Sequence, residues 1–339
     1  MHKKIITPNE ANQRLDKFLH KYLPEAGNSF IYKMLRKKNI TLNGKKADGN
    51  EKTLAGDEIT FFISDETIRK FQTTVSGLQN YYQAYQQFTE LKILFENEHL
   101  LIADKPAGLL SQKAKAEDIS LNDWLIGYLL ASNQINEESL KTFKPSALNR
   151  LDRNTCGISL CGKTLIGSQE ISRLLKERKI QKYYQLIVKG EITKAGQLGG
   201  YLNKDEKNNK VQIIRGKGAA ERLTKTIIDS AGKPVENVLT KYRPIKTNST
   251  CTLVEAELVT GKTHQIRAHF AGIGHPLIGD YKYGDRQVND EFKRLYGVES
   301  QLLHASRVVF PVMEAPLSDL SRLEVTSPSI FLIDVPGGK

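Results

Sequence analysis

The chain has 339 residues, of which 50 are Lys or Arg and 38 are Asp or Glu, a formal net charge of +12. That length has room for two or three domains and a sizeable core, so a single small module is excluded, and the charge favours a polyanionic partner, either nucleic acid or an anionic membrane surface. No apolar run approaches the roughly 20 residues that span a bilayer, and the opening Met-His-Lys-Lys-Ile-Ile lacks a secretory apolar core, so a cytoplasmic protein is expected. Cys156, Cys161 and Cys251 form no Cys-x-x-Cys pair, so they read as reduced, buried side chains rather than a disulfide framework or a zinc site.

In chain order, Leu15, Phe18, Leu19, Tyr22 and Leu23 fall at helical spacing before Pro24. A second helix, capped by Asn28 or Ser29, turns Ile31, Met34 and Leu35 inward and loads Lys33, Arg36, Lys37 and Lys38 on its outer face. Asn43-Gly44 then supplies the positive-φ pair of a hairpin turn within Ile40 to Lys46, and a strand from Glu58 to Ile63 closes the unit. Residues 1–63 carry 12 Lys and Arg against 7 Asp and Glu. That +5 is concentrated in under a fifth of the chain, and it is either an ordinary solvated face or a surface that tracks a phosphate backbone.

Residues 65–90 lose periodicity and read as a linker. Tyr81, Tyr82 and Tyr85 there fit packing against a neighbouring domain better than base stacking. Two strands, Leu91 to Phe95 and Leu100 to Ala103, lead to the turn Lys105-Pro106-Ala107-Gly108, and Leu121 to Leu130 forms a helix. Leu148 to Lys163 follows, Leu-Asn-Arg-Leu-Asp-Arg-Asn-Thr-Cys-Gly-Ile-Ser-Leu-Cys-Gly-Lys. Arg150 and Arg153 flank Asp152 and favour its ionised form. An extended backbone places Arg150 and Asp152 on one face, with Leu151 on the other. Gly157 permits a sharp turn and Ile158 to Cys161 reads as a buried strand. Locally, an Arg-x-Asp-Arg loop is most often a salt-bridged surface turn.

Beyond it, a helix presents Ile166, Ile171, Leu174 and Leu175 inward, with Arg173, Lys176, Arg178 and Lys179 outward and available to phosphates. In the strand Lys182 to Val188, Tyr184 shares a face with Leu186 and Val188, the usual pattern of a core tyrosine. Residues 196–237 yield only short strand pieces, Val211 to Ile214 and Thr226 to Asp229. Leu239 to Arg243 and Thr252 to Val259 pair across a turn. Thr263 is a candidate cap for a helix carrying His264, Gln265, Ile266, Arg267, His269 and Phe270. Two histidines five apart diverge around a helix, so no metal site is expected. Leu303 to Ala305 and Val308 to Phe310 read as late strands.

The Leu148–Lys163 string resembles the His-Arg-Leu-Asp-Arg-Asp-Thr-Ser-Gly signature of the RluA-type pseudouridine synthases. Thr-Gly-Lys-Thr-His-Gln-Ile-Arg-Ala-His through Gly-His-Pro-Leu-Ile-Gly-Asp resembles that family's second signature, and the Lys-Pro-x-Gly turn and Lys182-x-Tyr184 fit its pattern. Residues 1–64 look like its alpha-L RNA-binding domain, residues 91–328 its catalytic domain, and residues 329–339 a tail. The resemblance implies an α+β fold with an extended, mostly antiparallel mixed sheet flanked by helices. It implies Asp152 as the essential catalytic residue, Arg267 as its counter-ion, Tyr184 against the target base with Tyr183 as the alternative, and Arg150 displacing the nucleotide. Ile266 or Ile278 would wall the pocket, Asn149 would belong to the substrate-binding set, and Lys33, Arg36, Lys37, Lys38 and Lys45 would contact RNA.

Three residues depart from the first signature: Asn149 for His, Asn154 for Asp and Cys156 for Ser. The first puts target preference in doubt. No cofactor is required, because the isomerisation involves neither net redox change nor phosphate energy. The implied partner is RNA, large-subunit ribosomal RNA or its precursor particle, acted on by a monomer. A transfer-RNA target, a catalytically silent assembly factor and a glycoside hydrolase are the competing readings, and the last lacks a second paired acid near Asp152.

Overall fold

The computed structural model describes residues 1–72, 77–205, 210–214, 227–228 and 234–328. The expected tail 329–339 lies outside them. The chain opens with β1 (His2–Ile5), α1 (Leu15–Tyr22), α2 (Asn28–Arg36), β2 (Ile40–Leu42), β3 (Lys45–Lys46) and β4 (Glu58–Phe61). The four strands form one antiparallel sheet in the order β1-β4-β2-β3. The predicted stripes of both helices meet Ile40, Ile59 and Phe61 in a single apolar cluster. Asn43 and Gly44 take φ of 50° and 72°, the left-handed pair that a two-residue hairpin turn requires. The cap of α2 is Gly27, without a side-chain hydrogen bond, rather than Asn28 or Ser29. The strand β1 had no sequence signal, since its four residues are too short a run for alternation to register.

The segment read as a linker is largely helical, with α3 (Asp65–Phe71) and α4 (Leu78–Gln87). Ser64 caps α3 by accepting from the Thr67 N–H, and Phe71 packs on Phe30 with ring centroids 4.6 Å apart. Only Ala84 of α4 is fully buried, which explains why its Gln- and Tyr-rich sequence showed no apolar face. It lies so close to α5 (Leu121–Ala131) that a Cβ on Gly127 would come within 2.1 Å of the Tyr81 carbonyl oxygen. Tyr85 contacts Trp124 and Tyr128, in line with the packing role read for it, whereas Tyr82 is exposed.

The larger unit is built from β5 (Lys92–Glu96), β6 (Leu100–Lys105), α5, α6 (Glu137–Leu140), β7 (Ser146–Ala147), β8 (Cys156–Gly162), α7 (Leu165–Lys176) and β9 (Gln181–Lys189). It continues through β10 (Gly196–Asp205), β11 (Lys210–Ile214), β12 (Ile227–Ile228), β13 (Pro234–Thr247), β14 (Cys251–Leu258), α8 (Gln265–Gly272), α9 (Arg286–Tyr296), β15 (Leu303–Val309) and β16 (Glu324–Thr326). Among the described residues these strands form one 12-stranded sheet running β11-β10-β13-β14-β9-β15-β8-β6-β5, with β12, β16 and β7 on its margins. It is a mixed sheet, antiparallel except where β15 runs parallel to β8. Of the two pieces read in residues 196–237, the first is β11, while Thr226 and Asp229 at the ends of the second lie outside the described residues.

At the parallel step Ala305 pairs with Gly157, whose φ is +101°, and a Cβ there would approach the Ala305 carbonyl oxygen to 2.3 Å. Only glycine lets the two strands pass, and this crossing sets where the loop before β8 lies. Asn9 and Glu10 of the N-terminal unit reach the larger one. The Asn9 side chain accepts from the Leu165 N–H at the start of α7, and Thr142 donates to Glu10 at 2.7 Å. Among the described residues no helix is long and apolar enough to cross a membrane.

Candidate active site

Asp152 stands in the loop between β7 and β8, and that loop is held from below. The Ser111 hydroxyl donates to the Leu151 carbonyl and accepts from the Leu151 N–H, both at 3.0 Å, and Leu151 is buried. Lys105, which is 0% exposed, donates to the carbonyls of Pro106, Leu109 and Arg153 at 2.7–3.1 Å. Burial pulls the Lys105 pKa down to about 8 against the attraction of Cys156 and Asp152. Gly108 donates its N–H to the same Arg153 carbonyl. The Lys-Pro-Ala-Gly turn therefore pins the Asp152 loop, a role its sequence position alone did not reveal.

Arg267 of α8 reaches that loop across 115 residues, its Nη1 donating to Asp152 Oδ2 at 2.9 Å. Its other edge is taken by Asp280, with Nε to Oδ2 at 2.7 Å and Nη2 to Oδ1 at 2.8 Å, a bidentate pair with a carboxylate that is 0% exposed. Burial works against the Arg267 charge, but Asp280 and then Asp152 outweigh it and raise its pKa above the ordinary value. The guanidinium is thereby fixed as a cation and aimed at Asp152. Asp280 closes the second signature, yet its part as the clamp on Arg267 went unread because it depends on side-chain geometry across a turn.

Tyr184 on β9 is buried in the same cluster as Leu151, Ile266 and Ala305. Burial first, and then the Asp152 charge, push its hydroxyl pKa well above the usual tyrosine value, so it stays neutral. Arg150 is exposed and makes no hydrogen bond or ion pair among the described residues. Arg153 does not flank Asp152 as expected but turns toward Asp118 at 3.9 Å, because its carbonyl is held by Lys105 and its side chain points to solvent. The cation at Asp152 is thus the distant one.

Several expected site residues fall elsewhere. Ile278 packs with Ile187, Phe292 and Val298 in a cluster separate from that of Tyr184, since its strand-like segment hydrogen-bonds Ile187 on the far side of β9. The Asn149 amide is tied to the β8 backbone, donating to the Ile158 carbonyl at 3.2 Å and accepting from the Leu160 N–H at 2.7 Å, so it braces a strand beside a small cavity that Tyr183 and Tyr184 also line. Cys156 is buried with Sγ 3.2 Å from His304 Nδ1, and burial pushes its thiol pKa up to about 11. The cap of α8 is His264, not Thr263, with φ of 54°. Among the described residues no group of three or more His, Cys, Asp or Glu is arranged to hold a metal.

The two basic faces differ. Lys33, Arg36, Lys37, Lys38 and Lys45 are exposed and form no ion pair among the described residues. On α7 and just past its end, by contrast, Arg173 is bound by Glu170 and Glu177 at 2.6–2.8 Å and Lys179 by Glu177 at 2.9 Å, so these two are not free for phosphates.

A buried arginine, locked by one carboxylate and presented to a second, partly open one beside a tyrosine, sits where β9, β15 and β8 run side by side in the middle of the mixed sheet, the arrangement of a candidate carboxylate-dependent enzyme site. Residues 99–272 match the family described as RNA pseudouridylate synthase. A ribosomal large subunit pseudouridine synthase C of Vibrio vulnificus is 30% identical over 322 residues, 92% of this chain and 90% of its own length. An uncharacterized RNA pseudouridine synthase of Mycoplasma genitalium is 30% identical over 321 residues, again covering 92% and 90%. Among solved structures, human RNA pseudouridylate synthase domain containing 4 superimposes with a TM-score of 0.54 at 20% identity, over 74% of this chain and 93% of that one. The chain belongs to the RluA-type family of RNA pseudouridine synthases.

Proposed function

We propose that this enzyme isomerises specific uridines of large-subunit ribosomal RNA, or of its precursor particle, to pseudouridine, acting as a cytoplasmic monomer. The observation that carries the reading of the site is the 2.9 Å contact from Arg267, itself clamped by Asp280, to Asp152 beside the buried Tyr184. In the reaction the N1–C1′ bond breaks, the uracil turns, C5 bonds to C1′, and the hydrogen on C5 leaves as N1 takes up a proton. Nothing is oxidised or reduced. An ionised carboxylate held by a fixed guanidinium serves this chemistry as nucleophile toward the sugar or as acceptor of the departing proton.

The target nucleotide must leave its stack to reach Asp152. Arg150, exposed and uncommitted two residues before it, fills the vacated place, while Tyr184 and Ile266 wall the extruded base. Lys33, Arg36, Lys37, Lys38 and Lys45 hold the RNA through phosphates, giving affinity without base reading. The ribosomal target rests on relatives such as the ribosomal large subunit pseudouridine synthase C of Vibrio vulnificus. Carbodiimide mapping of pseudouridines in total RNA, with and without the gene, tests it. Marks in large-subunit rRNA should vanish and return with the wild-type gene but not with Asp152→Asn, whereas loss of a transfer-RNA mark alone would overturn the target.

A further inference from the structure

His264 is the one residue of the second signature whose backbone is strained toward the site. It takes φ of 54° at the start of α8, a left-handed conformation that side-chain-bearing residues adopt at a cost, and its side chain does not cap the helix. The turn carries the ring away from the helix end and into the Asp152 neighbourhood. There Nδ1 lies 3.0 Å from the Tyr283 hydroxyl and Nε2 3.9 Å from Asp152 Oδ2, with the imidazole edge-on to the Tyr283 ring.

Tyr283 is itself held by the Arg267 clamp. Its N–H and that of Lys282 both donate to Asp280 Oδ1, and the Arg267 guanidinium lies 5.2 Å from the Tyr283 ring centroid. A chain of contacts runs from Asp152 through Arg267 and Asp280 to the Tyr283 backbone N–H, and from the Tyr283 hydroxyl through His264 back to within 3.9 Å of Asp152. Both Arg267 and His264 face the same oxygen, Oδ2, while Oδ1 accepts no hydrogen bond among the described residues. The two carboxylate oxygens are therefore unlike.

We propose that His264 is a positioning residue: as a neutral imidazole whose Nδ1 accepts from Tyr283, it points its Nε2–H at Asp152 Oδ2 and keeps Oδ1 turned to the nucleotide. The 3.9 Å separation closes to a hydrogen bond with a movement of about 1 Å. This rests on the reading of Asp152 as the reacting carboxylate. The groups facing His264 are Asp152 from the loop before β8, Arg267 on its own helix, and Asp280, Lys282 and Tyr283 from the turn that follows. Burial dominates and holds the His264 pKa below its ordinary value; Asp152 and Asp280 pull it up, Arg267 and Lys282 push it down. At neutral pH the ring is uncharged. As pH falls through that lowered value the imidazole gains a proton, Nδ1 ceases to accept from Tyr283, and a second cation presses on Asp152 and weakens its reactivity.

His264→Gly keeps the left-handed backbone without strain and removes the ring. His264→Asn also tolerates that backbone and keeps an amide near the Nδ1 position. Both variants, with Tyr283→Phe and Asp152→Asn, are compared with wild type on unmodified transcribed large-subunit rRNA, reading single-turnover rate from about pH 5 to 8, RNA affinity and melting temperature. Expected for His264→Gly is a rate about 10- to 100-fold lower, with unchanged RNA affinity and an acid limb displaced to lower pH; His264→Asn recovers part of the loss and Tyr283→Phe falls between. A His264→Gly rate within twofold of wild type, an unmoved acid limb, or a loss no greater than its fall in melting temperature accounts for would overturn the inference. Should Asp152→Asn keep wild-type rate, it is the reading of Asp152 that fails instead.

Discussion

The chain contains the tripeptide Arg-Leu-Asp followed by a basic residue twice, at Arg14–Lys17 and at Arg150–Arg153. Both bury the leucine, Leu15 in the N-terminal cluster and Leu151 in the catalytic one. There the likeness ends. At the first, Arg14 folds back onto its own Asp16 with hydrogen bonds of 3.0 and 2.7 Å, and Asp16 also accepts from Tyr32 and the Lys17 N–H. The Arg14 contact, more than any other, holds the Asp16 pKa below the ordinary carboxylate value. At the second, neither neighbouring arginine touches Asp152, and the cation comes from α8. One carboxylate has both oxygens taken by its neighbours; the other keeps Oδ1 without a hydrogen bond among the described residues. The same tripeptide thus forms the start of a helix in one place and the candidate site in the other, according to what arrives from elsewhere in the fold.

The sharpest way to break this comparison is to neutralise each aspartate. Asp152→Asn should lower the release of the C5 hydrogen from uridine by about 10⁴-fold with the melting temperature preserved, whereas Asp16→Asn should leave that rate within about twofold. Equal effects on rate would erase the distinction. Next in size is the clamp. Asp280→Ala leaves Arg267 buried with one partner and should cost about 3 kcal/mol in denaturant unfolding, while Arg267→Lys, unable to serve two carboxylates in one plane, should cost about 100-fold in rate. A stable, fully active Asp280→Ala protein would show that the clamp is dispensable.

The flanking arginines come third. Arg150→Ala should reduce the rate about tenfold without moving the melting temperature, and Arg14→Ala should do the reverse, lowering the melting temperature slightly with no loss of rate. The smallest effect is in pH. The folded Asp16 pKa lies below its unfolded value of 3.8, so the stability it contributes is present above that value and is lost as pH falls through the folded value. Unfolding free energy should decline below about pH 4, and less steeply in Asp16→Asn; parallel curves would remove Asp16 from that role.

What could be read without coordinates follows from range. The α2 stripe, the Asn43-Gly44 turn and the buried β8 depend on neighbours within a few residues, and each lies in the structure where periodicity or turn chemistry put it. The resemblance carried Asp152, Arg267 and Tyr184, which the fold brings together although spacing alone gave no reason to join them. Asp280, Lys105 and His264 went unassigned because their parts depend on which backbone or side-chain atom they meet across a turn. Ile278 illustrates the converse: a buried isoleucine is easy to anticipate, but which of two clusters it enters is a matter of sheet topology.

The 115 residues between Asp152 and Arg267 also separate two moments in the life of the polypeptide. At ordinary elongation rates the carboxylate leaves the ribosome about 6 to 23 s before its guanidinium. The basic helix α2 emerges earlier still. A growing chain thus completes its exposed basic helix well before Arg267 can reach Asp152, so the order of synthesis puts the charged surface ahead of the carboxylate–guanidinium pair.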